Sequence, residues 1–158
     1  MIFVTVGTQE GFDRLVRTVD EWAGERQRRD VFAQIHESEY TPVNIEWAPF
    51  IEPPEFKRRA AEADFLVAHA GMGSIITALQ FGKPILVMPK RGDLRETRND
   101  HQIATAKRFG EMGKVAVAMD ESELRLKLDE LDALRGDTPI SPWASESLLE
   151  AVRGFVNG

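Results

Sequence analysis

Short β-rich runs alternate with longer segments of helical period, and no other feature of this chain narrows its fold so far. Strands are expected near Ile2–Val6, Val31–Ile35, Asn44–Trp47, Phe65–His69, Ile85–Met88 and Val115–Ala118. Helices are expected near 11–24, 54–63, 73–82, 98–111, 121–134 and 142–156. That alternation predicts an α/β fold, a Rossmann-like open and mostly parallel sheet covered by helices. Asp64 and the Gly82-Lys83-Pro84 triplet punctuate the passage from helix to strand, because glycine and proline stop helices. Leu124, Leu128, Leu131 and Leu134 recur at helical spacing and read as a core stripe. No repeat or linker divides the 158 residues, so one domain is expected over 1–158, ending in the helix 142–156. A chain of this length buries about two-thirds of the surface its unfolded form exposes.

Composition removes several function classes. There is no cysteine, which excludes disulfides, thiolate metal sites and a cysteine nucleophile together. The formal net charge of -6 argues against nonspecific attachment to nucleic acid or anionic lipid. The apolar start Met1–Val6 is too short for a signal peptide and lacks a basic segment before it. No run approaches the roughly 18 apolar residues that span a bilayer. A cytoplasmic protein without its own transmembrane segment is therefore expected. His36, His69 and His101 do not form a spaced ligand set, and no metal site is expected. Gly-x-Ser-x-Gly, Walker and Gly-x-Gly-x-x-Gly patterns are missing, against hydrolase, kinase and dehydrogenase chemistry.

Ligands of an open α/β sheet sit beyond the carboxyl ends of its strands, where the strand order reverses. With the common order 3-2-1-4-5-6, the first and fourth strands are neighbours at that reversal. Their exits are Gly7-Thr8-Gln9 and Ala70-Gly71-Met72-Gly73-Ser74. Both combine glycine with a hydroxyl residue. Glycine lets backbone N–H groups approach a phosphate, and a helix starting near Gly73 adds unpaired N–H donors with a positive dipole end. Thr8 and Ser74 can donate to the same anion. His69 at the end of the fourth strand reads either as a satisfied structural histidine or as a phosphate-side donor. The next exit, Pro89 to Gln102, is long and polar, and can reach over a ligand with Glu96, Asn99, His101 and Gln102. Equally, it reads as a solvated loop with an Asn or Asp helix cap. Lys90, Arg91, Arg95 and Arg98 alternate with Asp93, Glu96 and Asp100, which reads as surface pairing.

In order along the chain, Phe3-Val-Thr-Val-Gly-Thr8, Phe50-Ile-Glu52, His69-Ala-Gly-Met-Gly-Ser74, Gly82-Lys-Pro-Ile-Leu-Val-Met-Pro89 and Glu96-Thr-Arg-Asn-Asp-His-Gln102 resemble the carboxyl-terminal, donor-binding domain of family 28 glycosyltransferases. The resemblance is strongest over residues 2–118 and is similar to the free-standing versions of that domain. It implies one half of a GT-B enzyme with a UDP-sugar site. Gly7 and Thr8 would touch the diphosphate, and Phe50 and Ile51 would lie against uracil. Gly73 and Ser74 would hold the α-phosphate, with Gly71 beside them in the substrate site, and His101 and Gln102 would reach the donor sugar. The small residues of the fourth-strand exit would leave room for the pyrophosphate. One position departs from the family: where the peptidoglycan enzyme has a ribose-binding glutamate, this chain has Thr77. Thr77 or Glu96 would then serve the ribose.

The activity so implied is inverting transfer of a sugar from a UDP-sugar to a lipid-linked acceptor, in polysaccharide or glycoconjugate synthesis. N-acetylglucosamine is the family default. The departing UDP would be stabilised by helix dipole and N–H groups, with neither cofactor nor metal required. The general base is expected from a membrane-associated acceptor-binding subunit, which would also recruit the chain to the inner face of the membrane. His69 and His101 are the weak candidates within the chain itself. Self-association stays open. The alternative is a non-catalytic nucleotide-sugar-binding or regulatory module.

Overall fold

The structure, a computed structural model, describes residues 1–111 and 115–131. In chain order its elements are β1 (Ile2–Thr5), α1 (Asp13–Glu25), β2 (Val31–Gln34), β3 (Glu46–Ala48), α2 (Pro53–Glu62) and β4 (Phe65–His69). They continue with α3 (Met72–Gln80), β5 (Ile85–Met88), α4 (His101–Glu111), β6 (Ala116–Val117) and α5 (Glu121–Leu131). All strand pairs are parallel, in the order β3-β2-β1-β4-β5-β6. This is the Rossmann-like sheet that the alternation of runs predicts.

Strands β1, β2 and β5 are buried along their whole length, as parallel strands covered on both faces must be. Alternate residues serve opposite layers. Ile2 and Val4 face one layer with Leu15, Val19 and Trp22 of α1 and Leu124, Leu128 and Leu131 of α5. Phe3 faces the other with Ala60 of α2, Ile75 and Leu79 of α3, and Ala106 and Phe109 of α4. Right-handed crossovers running in opposite directions from the middle of the sheet require this split. Where they diverge, between β1 and β4, the loops part and leave a crevice.

Two of the element starts that differ from expectation do so because side chains bond to the backbone. The third strand, expected from Asn44, begins at Glu46. The buried Asp20 carboxylate of α1 accepts from the Tyr40 hydroxyl at 2.5 Å and from the backbone N–H groups of Val43 and Asn44 at 3.1 and 2.8 Å. Those N–H groups are thereby withdrawn from the ladder. Helix α4, expected from 98, begins at His101, whose N–H donates to Asn99 Oδ1 at 2.8 Å. Leu134 and the expected helix 142–156 lie outside the described residues.

Candidate functional site

The crevice at the strand-order reversal is a cleft of about 620 Å³. Its floor is Thr5, Gln34 and His69, and its walls come from the exits of β1, β3, β4 and β5. Gly7, Thr8, Phe50, Ile51, His69, Gly71, Gly73, Ser74, Thr77, His101 and Gln102 all border it. Residues far apart in the sequence thus meet in one place.

The glycines divide into two kinds. A Cβ on Gly7 would lie 2.7 Å from His69 Nε2, and one on Gly71 would lie 2.1 Å from His69 Cε1. Gly7 also holds φ at +91°, where side chains are strained. These two positions are small because the imidazole fills the space. The expectation that all the small residues clear room for a pyrophosphate is corrected on this point. A Cβ on Gly73, by contrast, would meet nothing within 4 Å, so its face of the cleft is open.

Two glutamines lock the loops. Gln34 Oε1 accepts from the Thr5 hydroxyl at 2.7 Å and from Val6 N–H at 3.3 Å. Its Nε2 donates to the carbonyls of Gly7 and Pro49, both at 3.1 Å. Gln102 Oε1 accepts from the N–H groups of Ala70 at 3.2 Å and Lys90 at 3.0 Å. With the oxygen so engaged, the Gln102 amide turns its NH2 to His69 Nδ1, 3.1 Å away. The ring nitrogen facing it is then an acceptor, and the proton of the neutral imidazole sits on Nε2. That nitrogen lies 3.4 Å from Ser74 Oγ, a long contact which leaves the serine hydroxyl hydrogen for a ligand. The resemblance puts Gln102 on sugar hydroxyls, whereas here both ends of its amide serve the protein.

Burial pushes the His69 pKa down to about 3, assisted by the neighbouring Lys90 ammonium. A nitrogen of that basicity is a poor proton acceptor near neutral pH, so His69 acts as a neutral N–H donor and not as the general base.

Helix α3 starts with Gly71 as its N-cap, and no side chain caps it. The first N–H groups of the helix therefore have no intrahelical partner, and the Cβ side of Gly73 among them is open. Ser74 is 6 % exposed and Thr77 lies one turn further on, its hydroxyl donating to Gly73 O at 2.8 Å. Across the cleft Phe50 is 58 % exposed, a flat apolar surface packed edge-on against His36 with ring centroids 4.9 Å apart. Ile51 and Phe56 continue that apolar wall.

Two expected residues lie elsewhere. Glu96 borders a separate depression with Glu10, Arg14 and Glu37. Its two carboxylate oxygens accept from Arg14 Nε and Nη2, each at 2.9 Å, and Oε1 also accepts from Arg91 N–H at 3.0 Å. Held in that network, Glu96 is not the carboxylate for a ribose in this cleft. Asn99 borders an adjoining depression and gives its side-chain oxygen to the start of α4.

Three residues that carry the site are not among those the sequence singles out. Gln34 and Thr5 pass for ordinary strand residues, although a single polar residue in an apolar parallel strand is itself a signal. Lys90, expected on the surface, is 2 % exposed and borders the cleft. The arrangement as a whole offers N–H and O–H donors around one open point, and a flat apolar wall beside it. Donors of this kind can hold an anion, and an apolar wall of this kind can stack a planar ring.

The glycosyltransferase family 28 C-terminal domain matches residues 1–135. Curated proteins yield no match. Among solved structures, the solution structure of ALG13 is similar with a TM-score of 0.64 at 17 % identity, over 96 % of this chain and 93 % of that one. MurG of Acinetobacter baumannii is similar with a TM-score of 0.59 at 21 % identity, over 82 % of this chain and 40 % of that one. The glycotransferase of kitacinnamycin gives a TM-score of 0.59 at 22 % identity, over 96 % of this chain and 38 % of that one. The chain thus spans about two-fifths of those two larger proteins, and at these identities the likeness concerns the fold.

Proposed function

The chain belongs to the family of glycosyltransferase family 28 C-terminal domains, and from that premise we propose that it is the donor-binding half of a glycosyltransferase that uses a UDP-sugar. The observation that carries this reading is the uncapped amino end of α3, open at Gly73 and opposite the exposed ring of Phe50. A diphosphate on the first and a uracil against the second would account for both features of the one cleft.

In this reading the helix N–H groups, the Ser74 hydroxyl and His69 Nε2–H receive the diphosphate. Each is fixed before the ligand arrives, so charge developing on the leaving oxygen meets donors that need no rearrangement. In the same reading Thr77 serves a ribose hydroxyl, and His101 the sugar. Transfer is inverting: an acceptor hydroxyl attacks the anomeric carbon, and the bond to the β-phosphate oxygen breaks with its electron pair leaving on UDP. Within this reading His69 is too weak to act as the base, and His101, which also borders the cleft, is assigned to the sugar. A second, membrane-associated subunit supplies the base and the lipid-linked acceptor, and brings this chain to the membrane. N-acetylglucosamine is the sugar we expect, without a metal.

The test is a transfer assay with radiolabelled UDP-sugars and membranes from the source cell. We expect UDP-N-acetylglucosamine to bind the purified chain, and sugar to reach lipid only when membranes carrying the partner are present. Transfer to lipid by the chain alone would refute the division of labour. Failure of every UDP-sugar to bind would refute the donor role.

A further inference from the structure

Lys90 stands just past the end of β5, where the chain enters the polar loop. Its side chain is 2 % exposed, yet its Nζ has one hydrogen-bond partner among the described residues, the carbonyl of Glu10 at 2.9 Å. The ring of Phe12 lies 5.9 Å from Nζ and adds a weak cation–π contact. Among the described residues no carboxylate forms an ion pair with it, whereas Arg14 and Arg91 in the same region take Glu96 and Asp93. An ammonium held from water by a carbonyl and a ring is poorly compensated, and burying a charge without a counter-charge destabilises a fold. Burial indeed holds the Lys90 pKa below its ordinary value, against the pull of the Glu10 and Glu96 carboxylates. Lys90 borders the cleft, and its ammonium is close enough to His69 to depress that imidazole.

We propose that Lys90 is the counter-charge of the ligand: its ammonium contacts the phosphate closest to the sugar and neutralises the diphosphate as it leaves. The inference rests on the nucleotide-sugar reading above. In the transfer step the bond between the anomeric carbon and the β-phosphate oxygen breaks, and both electrons go to that oxygen. The new bond forms from the acceptor oxygen to the anomeric carbon, and the acceptor proton passes to the base of the partner subunit. UDP gains one negative charge, and Lys90 meets it while keeping its own proton. The lysine thus does the work for which many sites employ a divalent cation, with the α3 N-terminus beside it.

A binding role and a structural role move stability in opposite directions. Lys90→Met keeps the length and removes the charge. If the ammonium waits for a ligand, the free protein should melt at the same or a higher temperature, because an uncompensated buried charge has gone. Its UDP affinity, by calorimetry, should fall roughly tenfold to a hundredfold, the worth of one charge-assisted hydrogen bond. Uridine, which lacks phosphate, should bind as it does to wild type. Lys90→Arg should retain most of the UDP affinity, and Lys90→Gln, which can still donate to the Glu10 carbonyl, should repeat the methionine result if methionine disturbs the loop. Wild-type UDP affinity in folded Lys90→Met or Lys90→Gln protein would overturn the role of Lys90 and leave the donor reading standing. A lower melting temperature with equal losses for UDP and uridine would make Lys90 structural and overturn the proposal. Wild-type protein that binds neither UDP nor uridine would remove the donor reading itself, and the ligand assigned to Lys90 with it.

Discussion

The imidazole of His69 occupies the space that Gly7 and Gly71 leave empty, and Gln102 fixes which of its nitrogens carries the proton. This has a consequence in acid. The ordinary histidine value is 6.5 and that of folded His69 about 3, depressed first by burial and then by Lys90. Between those values the unfolded chain binds a proton that the folded chain does not. Stability contributed by the neutral ring is therefore complete above pH 6.5 and falls as the pH drops toward 3, by up to about 1.4 kcal/mol per pH unit. Urea unfolding of wild type and His69→Gln between pH 7 and 4 should show a steeper loss in the wild type; parallel curves would contradict the buried neutral state. The sequence displays His69 and its small neighbours plainly, but not the reason for them. Glycine beside a histidine reads the same whether the space is kept for a ligand or for the ring. Lys90 is illegible for a related reason: a lysine among alternating charges carries no mark of burial.

The loop from β5 to α4 owes its shape to side chains that hold backbone. Arg14 of α1 bonds both oxygens of Glu96, the Pro89 carbonyl at 3.3 Å and Glu121 of α5 at 2.9 Å, so one guanidinium joins two helices to the loop. The side chains of Arg14 and Glu96 are 13 % and 12 % exposed, where a two-pronged pair is stronger than on the surface. Glu96→Gln should cost about 1–3 kcal/mol of stability and leave UDP affinity within about a factor of two, since the loop is loosened but the cleft keeps its donors. An unchanged melting temperature with a large loss of UDP affinity would return Glu96 to the ribose. The strands and their order are legible because continuous apolar runs between helical segments permit few parallel arrangements. Loop architecture is not, because Asp20, Gln34, Glu96 and Gln102 each act through bonds to distant backbone, which no periodicity reveals.

Across the whole molecule, the carboxyl ends of the strands present one cleft, and no described helix is long and apolar enough to cross a membrane. The family to which the chain belongs matches residues 1–135, and the chain spans 93 % of ALG13 but only 40 % of MurG. Under the proposed function the nucleotide site must be intact before any partner matters, and Gly73 is the point at which that site should close without harm to the fold. A Cβ there would meet nothing within 4 Å, and valine is no worse than glycine within a helix. Calorimetric titration of wild type and Gly73→Val with UDP is thus the most direct measurement. The account predicts that wild type binds one UDP, that Gly73→Val folds with equal or greater stability, and that it binds no UDP. Folded Gly73→Val protein that binds UDP as wild type does would contradict it.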